Sequence, residues 1–179
     1  GSREADQRAE QRMAKDQQLK GGADEGKTAE AKSGAVVAEE KKTLYDRLGS
    51  ADGVGRIVED FVTRLVADPQ VNFERKGIKV GGLSLKRNQS VEWQATPANL
   101  AAIKKSLAEF IALKSGGPTQ YSGPDFKAVA EGKKVTNAEF DAAVGDLKAT
   151  LDMLKIANQE QKELVALMES TRPQFVEER

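Results

Sequence analysis

The chain has 179 residues, a length that favours one domain with a core large enough to fold unaided. Its 28 basic and 28 acidic side chains cancel, so no net field favours nucleic acid or an anionic membrane surface. Histidine and cysteine are both absent, which excludes disulfides, thiolate or imidazole metal sites and histidine acid–base catalysis, and no apolar run is long enough to span a bilayer.

The first 42 residues differ in composition from the rest. They are polar, rich in Ala, Glu, Gln and Lys, and carry acidic and basic side chains in equal number. Such a segment buries too little apolar surface to offset its ordering entropy. We therefore predict a disordered charged tail over residues 1–42, with a partner-binding helix as the alternative, and a folded domain over residues 43–179.

The chain opens with Gly1-Ser2, which resembles a cloning scar. A signal segment or anchor upstream of it would not be visible in this sequence. The compartment therefore stays open. We expect a cytoplasmic protein or, if a signal segment has been removed, a protein of the periplasm or cell envelope.

Start and stop signals predict the first long helices of the domain. Thr43 is a candidate N-cap for a short opening element, and a helix follows from about Ala51 to Ala67, ended by Asp68-Pro69. Thr96-Pro97 begins the next long helix, which Gly116-Gly117-Pro118 ends. Apolar residues recur at three- and four-residue steps on both helices: Val54, Ile57, Val58, Phe61, Val62, Leu65 and Val66 on the first, and Leu100, Ile103, Leu107, Phe110 and Ile111 on the second.

The C-terminal third contains two further long helices. A short helical turn is expected around Pro124 to Gly132, and Thr136 with Glu139 then forms a capping box. The helix that follows repeats its apolar residues close to heptad spacing, which predicts a central packing element: Phe140, Val144, Leu147, Leu151 and Leu154. A last helix runs from near Asn158 towards Thr171, before Pro173. Four long helices joined mostly by short links predict an all-α domain.

A long excursion, from Phe73 to Ala95, separates the long helix that ends at Asp68-Pro69 from the one that begins at Thr96-Pro97. Within it, residues 78–85 alternate apolar and polar side chains around Gly81-Gly82. A Gly-Gly pair accommodates the positive φ angles of a type I′ turn, so we predict a small β-hairpin at about 78–85, pairing Val80 with Leu83 and Ile78 with Leu85. A mobile surface loop is the alternative.

Several motifs then occur in a recognisable order along the domain. Residues 44–50 read Leu-Tyr-Asp-Arg-Leu-Gly-Ser, and residues 116–123 read Gly-Gly-Pro-Thr-Gln-Tyr-Ser-Gly. They resemble the Leu-Tyr-x-Arg-Leu-Gly-Gly and Gly-Gly-Pro-x-x-Tyr-x-Gly motifs of group I truncated (two-over-two) haemoglobins. Similar likenesses occur at Asp60–Val62, Ala67–Pro69, Thr136–Asp141, Leu147–Asp152 and Thr171–Val176. The resemblance implies a globin-like, truncated two-over-two helical sandwich.

The same resemblance locates a haem pocket, and there the sequence departs from the family. Members usually carry a proximal segment Met-Lys-x-Ala-His-x-Gly-Met-x-Ile-Thr, whereas residues 126–136 read Phe-Lys-Ala-Val-Ala-Glu-Gly-Lys-Lys-Val-Thr. Three matching residues fix the register: Lys127, Gly132 and Thr136. Ala130 therefore stands at the position of the proximal histidine. On the distal side, Val62 replaces a frequent tyrosine and Leu107 a frequent glutamine.

Few other side chains of this sequence are able to bind haem iron. Tyr121 belongs to the Gly-Gly-Pro motif, where we expect a packing role, and Met153 and Met168 are expected to fill the core. Lys133 and Lys134 lie close to the lost ligand position, but a lysine ligand needs burial and a strongly lowered pKa. We therefore expect no cofactor and no metal, with haem held by a ligand other than histidine as the alternative.

The candidate site is consequently a degenerate haem pocket. Its members in this interpretation are Ala130, Val62, Leu107, Phe61, Phe110, Phe126 and Tyr121. An empty cavity of haem size would be strongly destabilising, so something must fill it. We expect larger side chains such as Phe110 and Phe126, the predicted hairpin or an apolar ligand other than haem to do so.

Three classes of function follow from this interpretation. The first is a haemless globin-fold module that binds a small apolar ligand or a protein partner, or acts as a sensor. The second is a haem protein that binds dioxygen or nitric oxide through an unusual ligand. The third, an enzyme without haem, has no support, because we find no nucleophile–base pair, phosphate loop or paired-carboxylate motif in the sequence.

Overall fold

The computed structural model describes residues 42–80 and 89–177 of the chain. Helices in these ranges are α1 (Leu44–Arg47), α2 (Ser50–Ala67), α3 (Pro97–Lys114), α4 (Phe126–Ala130), α5 (Asn137–Met153), α6 (Asn158–Ser170) and α7 (Arg172–Phe175). Two short strands, β1 (Lys79–Val80) and β2 (Gln89–Ser90), lie between α2 and α3. The predicted tail lies outside the described residues except for Lys42, so its disorder stays a prediction.

The first two helices form where the sequence signals them. The Thr43 hydroxyl accepts a hydrogen bond from the Asp46 N–H at 3.1 Å and so caps α1. Helix α2 ends at Ala67, and the backbone N–H of its C-cap residue, Asp68, donates to the Arg64 carbonyl. The apolar face of α2 is buried as predicted: Val54, Ile57, Val58, Phe61, Val62 and Leu65.

Helices α3 and α4 also have side-chain caps at their N-termini. The Thr96 hydroxyl accepts from the Asn99 N–H at 3.2 Å, and Pro97 occupies the first helical position, where its missing N–H leaves nothing unpaired. The Asp125 carboxylate accepts from the Lys127 N–H at the start of α4. Helix α4 is only five residues long, and it falls inside the helical turn predicted from Pro124 to Gly132.

Helix α5 begins with the predicted capping box. The Glu139 N–H donates to the Thr136 hydroxyl at 3.1 Å, and the Thr136 N–H donates to the Glu139 carboxylate at 3.0 Å. Helix α2 packs against both α3 and α5, and α5 packs against α6. Ile57 of α2 and Leu151 of α5 are completely buried, so the centre of the core lies on these two helices.

The predicted hairpin was placed wrongly in register. The strands pair antiparallel, but Lys79 lies opposite Ser90 and Val80 opposite Gln89, rather than Val80 opposite Leu83. The Ile78 carbonyl likewise accepts from the Val91 N–H at 3.3 Å. The Gly81-Gly82 turn with Leu83 and Leu85 lies outside the described residues.

Aromatic packing explains where the second strand pairs. The Trp93 ring meets the Phe73 ring edge-to-face, with 5.2 Å between ring centroids, and the Trp93 N–H donates to the Glu74 carbonyl at 2.9 Å. This long-range contact positions the returning chain after residue 90. A local Gly-Gly turn preference is weaker than burial of an aromatic ring.

The C-terminal end contains one turn of helix that the sequence did not indicate. Helix α6 ends at Ser170, close to the predicted end, but Arg172–Phe175 then forms α7. Pro173 lies in the first turn of α7, where a backbone N–H is not required, so it does not end helical structure here. None of the helices in the described ranges is long and apolar enough to span a membrane.

Candidate functional site

The two most specific sequence motifs contact each other in the fold. The Tyr45 N–H donates to the Ser115 carbonyl at 2.9 Å. Gly116 has a positive φ of 90°, and a Cβ atom on Gly117 would lie 2.8 Å from the Tyr45 ring. The Gly-Gly pair is therefore needed for a left-handed backbone and for close approach of an aromatic ring. This part of the resemblance describes packing rather than a binding site.

The arginine of the opening motif has a structural role as well. The Arg47 guanidinium donates to the Glu160 carboxylate at 2.8 Å and to both oxygens of Glu163, at 2.9 Å and 2.8 Å. These bonds raise the pKa of Arg47 and hold the pKa of Glu163 below its usual range. They link α1 to α6 on the surface of the domain.

The aromatic members of the predicted site form one cluster. The Phe110 ring on α3 lies 4.7 Å from the Phe126 ring on α4 and 6.2 Å from the Tyr121 ring, measured between centroids. Phe126 also contacts Tyr121 at 5.7 Å and Phe175 at 5.2 Å, and Phe175 lies 6.3 Å from Phe140. The sequence indicated three of these five rings as site residues. Phe175 and Phe140 were missed as site residues because their contacts depend on the turn of α7.

Tyr121 is held by its hydroxyl group as well as by its ring. The hydroxyl donates to the Pro124 carbonyl at 2.5 Å. Burial raises the pKa of Tyr121, and the carboxylates of Glu109 and Asp125 raise it further. The phenol therefore stays neutral and closes the loop between α3 and α4. This arrangement agrees with the packing role expected for Tyr121.

The remaining predicted site residues lie on separate elements. Ala130 is the last residue of α4 and is buried, with 2 % of its surface exposed. Phe61 and Val62 lie on the buried face of α2 and belong to the main apolar core. Leu107 on α3 is partly buried against the same core. No comparison tests their assignment to a haem pocket, which stays a prediction.

A buried arginine that the sequence did not indicate holds the segment after α4. Arg75 is 4 % exposed and donates to the Lys133 carbonyl at 3.0 Å and to the Lys134 carbonyl at 3.1 Å. Its guanidinium also pairs with the Glu139 carboxylate through both nitrogens Nη1 and Nη2. Burial alone would raise the pKa of Glu139, but the bonds from Arg75 and Thr136 hold it below its usual range.

Residues near the C-terminus also bond to the segment that follows α4. The Gly132 N–H donates to the Glu177 carboxylate at 2.6 Å, and the Glu177 N–H donates to the Val135 carbonyl at 3.2 Å. Val135 and Val176 form an isolated parallel bridge. The arginine of the closing motif, Arg172, lies over the Phe140 ring at 4.4 Å from its centroid.

Comparison with known proteins identifies the family. The bacterial-like globin model matches residues 84–176, which is more than half of the sequence. The chain belongs to the bacterial-like globin family. It is homologous to group 1 truncated haemoglobins, being 25% identical over 136 residues to the GlbN protein of Mycolicibacterium paratuberculosis (76% of this chain, 85% of that one). The group 1 truncated haemoglobin of Tetrahymena thermophila is 27% identical over 130 residues (73% and 91%).

Solved structures of truncated haemoglobins confirm the fold of this globin. The Fe(III) form of the truncated haemoglobin from Tetrahymena pyriformis matches with a TM-score of 0.60 at 23% identity, covering 76% of this chain and all of that one. The 2/2 haemoglobin from Synechococcus sp. PCC 7002, solved with covalently attached haem, matches with a TM-score of 0.55 at 24% identity (73% and 94%). The predicted all-α, two-over-two globin architecture is therefore correct.

Proposed function

We propose that this globin does not bind haem through an axial ligand and acts as a binding or sensor module for a small apolar ligand or a protein partner. One observation carries the proposal. No histidine or cysteine occurs in the 179 residues, and Ala130 stands where the proximal ligand is expected. Globin haem depends on an axial bond from a donor atom, and an alanine methyl group has none. We assign the protein no catalytic residue.

The other donor side chains fit haem iron poorly. The Tyr121 hydroxyl is engaged with the Pro124 carbonyl, and burial disfavours the phenolate that would bind iron. Met168 packs against the apolar core, and Met153 is half exposed on α5. Met13 lies outside the described residues. Residues 42–80 and 89–177 also contain no group of three or more acidic side chains arranged around a metal position.

Protein contacts around α4 support the same proposal. In a haem-ligating globin the iron–imidazole bond helps to hold the proximal helix. Here Arg75 bonds the two carbonyls that follow α4, and Glu177 bonds the Gly132 N–H. The Phe126 ring at the start of α4 packs against Phe110 of α3. These contacts show that side chains and backbone groups of this chain are sufficient to position the short helix.

The alternative, a haem held by another ligand, has one candidate residue. Lys133 follows Ala130 closely, and its N–H donates to the Ala130 carbonyl at 3.0 Å. Burial lowers the pKa of Lys133, and the nearby Arg75 charge lowers it further. A lowered pKa favours the neutral amine, the form in which lysine binds metals. Lys133 is therefore the residue to substitute if haem is found.

The direct test is haem loading. The protein is produced with added haem precursor, passed through gel filtration, and its visible spectrum is recorded with a pyridine haemochrome assay. We expect no Soret band to remain with the protein. About one equivalent of haem surviving gel filtration would contradict the proposal, and loss of that band in a folded Lys133→Leu variant, which has no donor atom, would then indicate lysine ligation.

Substitutions at Ala130 distinguish two reasons why haem would not bind: a missing axial ligand, or a pocket filled by side chains. Ala130→His should restore a six- or five-coordinate haem spectrum if only the ligand is missing. Ala130→Leu, matched in position but without a donor atom, should stay colourless. If Ala130→His folds but stays colourless, side chains occupy the pocket space as well. A spectrum in Ala130→Leu equal to that of Ala130→His would show that position 130 does not face the haem.

A further inference from the structure

A cleft lies at the point where the excursion between α2 and α3 returns to the domain. It is open to solvent, has a volume of about 380 Å³ and is lined by Glu74, Lys76, Glu92, Trp93, Gln94, Ala95 and Thr96. Hydrogen bonds connect the two sides of the cleft. The backbone N–H of Trp93 donates to the Glu74 carbonyl, and the backbone N–H of Ala95 donates to the Glu74 carboxylate, both at 2.9 Å. The cleft is thus a built feature of the fold.

The one tryptophan of the chain, Trp93, is among the residues that line the cleft. The Trp93 side chain is only partly buried, and its ring is supported by an edge-to-face contact with Phe73. Phe73 in turn packs against the main apolar core. The contact with Phe73 therefore restrains the indole, while part of the Trp93 side chain stays accessible to solvent. A fixed and accessible indole is the side chain that attracts organic cations most strongly.

Carboxylates make the same cleft electronegative. Glu74 and Glu92 contribute two negative charges and Lys76 one positive charge, which leaves a net charge of −1. The Lys76 ammonium lies 2.9 Å from the Glu74 carboxylate, which raises the pKa of Lys76, and the Glu92 carboxylate raises it further. An ammonium group of the chain itself thus already pairs with one of the two carboxylates of the cleft.

We propose that this cleft binds a small organic cation of the alkylammonium class, with the Trp93 ring and the Glu92 carboxylate as its main contacts. The Glu92 carboxylate can accept a hydrogen bond from such a ligand, because the Gly77 N–H, at 3.4 Å, donates to only one of its two oxygens. Lys76 is 74% exposed, and exposed ion pairs are weak, so an entering cation can displace its ammonium group. This site is independent of the haem position and of whether haem binds.

The single tryptophan of the chain makes the test direct, since Trp93 is the only source of indole fluorescence. The full chain is titrated with n-butylammonium chloride at constant ionic strength, with sodium chloride replaced in equal amounts. N-acetyl-lysine methylamide is titrated in parallel, to distinguish a free amine from the side chain of a partner protein. We expect a saturable change in Trp93 emission with at least one of the two, and none with n-butanol.

Three variants decide whether the signal comes from this cleft. Glu92→Gln keeps an oxygen for the Gly77 N–H but removes the charge, and it should raise the half-saturation concentration about tenfold. Lys76→Met removes the internal competitor and should lower it several-fold. Asp52→Asn is the matched control, because Asp52 lies in the first turn of α2, at the opposite end of that helix from Glu74, and should change nothing.

The results that overturn the proposal are equally specific. Emission that changes linearly and without saturation with both amines would show that no site exists. Equal half-saturation concentrations in Glu92→Gln, Asp52→Asn and the unmodified chain would show that the amine binds elsewhere. Far-ultraviolet circular dichroism of each variant confirms that it is folded before its titration is interpreted.

Discussion

The interface between α2 and α5 and the segment around α4 are stabilised in different ways. The first contains completely buried aliphatic side chains such as Ile57 and Leu151, with one polar contact from the Thr150 hydroxyl to the Asp60 carboxylate at 2.7 Å. The second depends on hydrogen bonds from Arg75 and Glu177 to backbone groups and on rings that are only partly buried.

This difference separates a region that is held by apolar packing from one that is held largely by polar bonds. A close-packed aliphatic interface needs no cofactor to hold it together. The segment around α4, where the sequence resemblance predicts the proximal position, is held by polar bonds and by partly buried rings. Substitutions in the α2–α5 interface should therefore lower the free energy of unfolding through lost packing. Substitutions around α4 should lower it by leaving polar groups without partners.

The largest effect is expected from Arg75→Met. Methionine removes the partner of the partly buried Glu139 carboxylate and leaves the carbonyls of Lys133 and Lys134 without their donors. Breaking one side of a buried ion pair lowers the free energy of unfolding by about 3–5 kcal/mol. Urea denaturation followed by circular dichroism measures the change.

Two further variants check the cause of that effect. Arg56→Met, at an exposed position on α2, should stay within about 0.5 kcal/mol of the unmodified chain. Adding Glu139→Gln to Arg75→Met should recover part of the lost stability, because the unpaired charge is removed as well. A double variant that is as unstable as the sum of the two single variants would contradict the ion-pair explanation.

The second largest effect is expected from Leu151→Ala in the α2–α5 region. Leu151 has no exposed surface, so truncation leaves a cavity in a rigid interface and should lower the free energy of unfolding by about 3 kcal/mol. Leu113→Ala is the matched control, since Leu113 is 43% exposed on α3 and its truncation should cost less than about 1 kcal/mol. Similar losses in both variants would show that the core is not centred on α5.

The sequence predicted the aliphatic region well because its signals are local and periodic. The threonine caps at positions 43, 96 and 136, the capping box with Glu139 and the buried stripe of α2 all follow from residues close together in sequence. Such preferences need no knowledge of distant contacts. The fold itself was then predictable from the order of the motifs.

The segment around α4 and the excursion were predicted less well because distant residues determine them. Arg75 is buried through bonds to residues 58 to 64 positions away in sequence, and nothing near Arg75 indicates them. The register of β1 with β2 depends on Trp93 meeting Phe73 rather than on the Gly-Gly pair. The additional turn α7 brings Phe175 to the aromatic cluster and was missed because Pro173 usually follows a helix end.

A smaller effect is expected from Phe126→Ala in the α4 region. Its ring contacts three others, but it is only partly buried, so we expect a loss of about 2 kcal/mol, below that of a fully buried phenylalanine. Phe126→Leu keeps most of the volume and should lose about half as much. Thermal unfolding of both variants measures the order. Equal losses would show that the aromatic contacts add nothing beyond apolar volume.

A carboxyl group at the edge of the α2–α5 interface gives this otherwise apolar region a pH dependence. The Asp146 oxygen Oδ2 is buried, and among the described residues none donates a hydrogen bond to it. Burial and, next to it, the neighbouring carboxyl of Asp68 together raise the pKa of Asp146 to about 6, although the charge of Arg64 opposes the shift. The folded protein therefore favours the neutral form of Asp146.

The smallest effect is expected from Asp146→Asn, and it should depend on pH. A pKa of about 6 in the folded protein, against 3.8 for an ordinary aspartate, means that ionisation of Asp146 opposes folding. Its contribution is fully favourable below pH 4 and is lost as the pH rises through 6. The variant, which cannot ionise, should match the unmodified chain at pH 4. At pH 7.5 it should exceed that chain by about 1 kcal/mol, a value reduced for the partial exposure of the side chain. Asp52→Asn, at an exposed position in the first turn of α2, should show no such dependence on pH in urea denaturation. A constant difference between Asp146→Asn and the unmodified chain from pH 4 to 7.5 would show that ionisation of Asp146 does not affect the stability of the α2–α5 region.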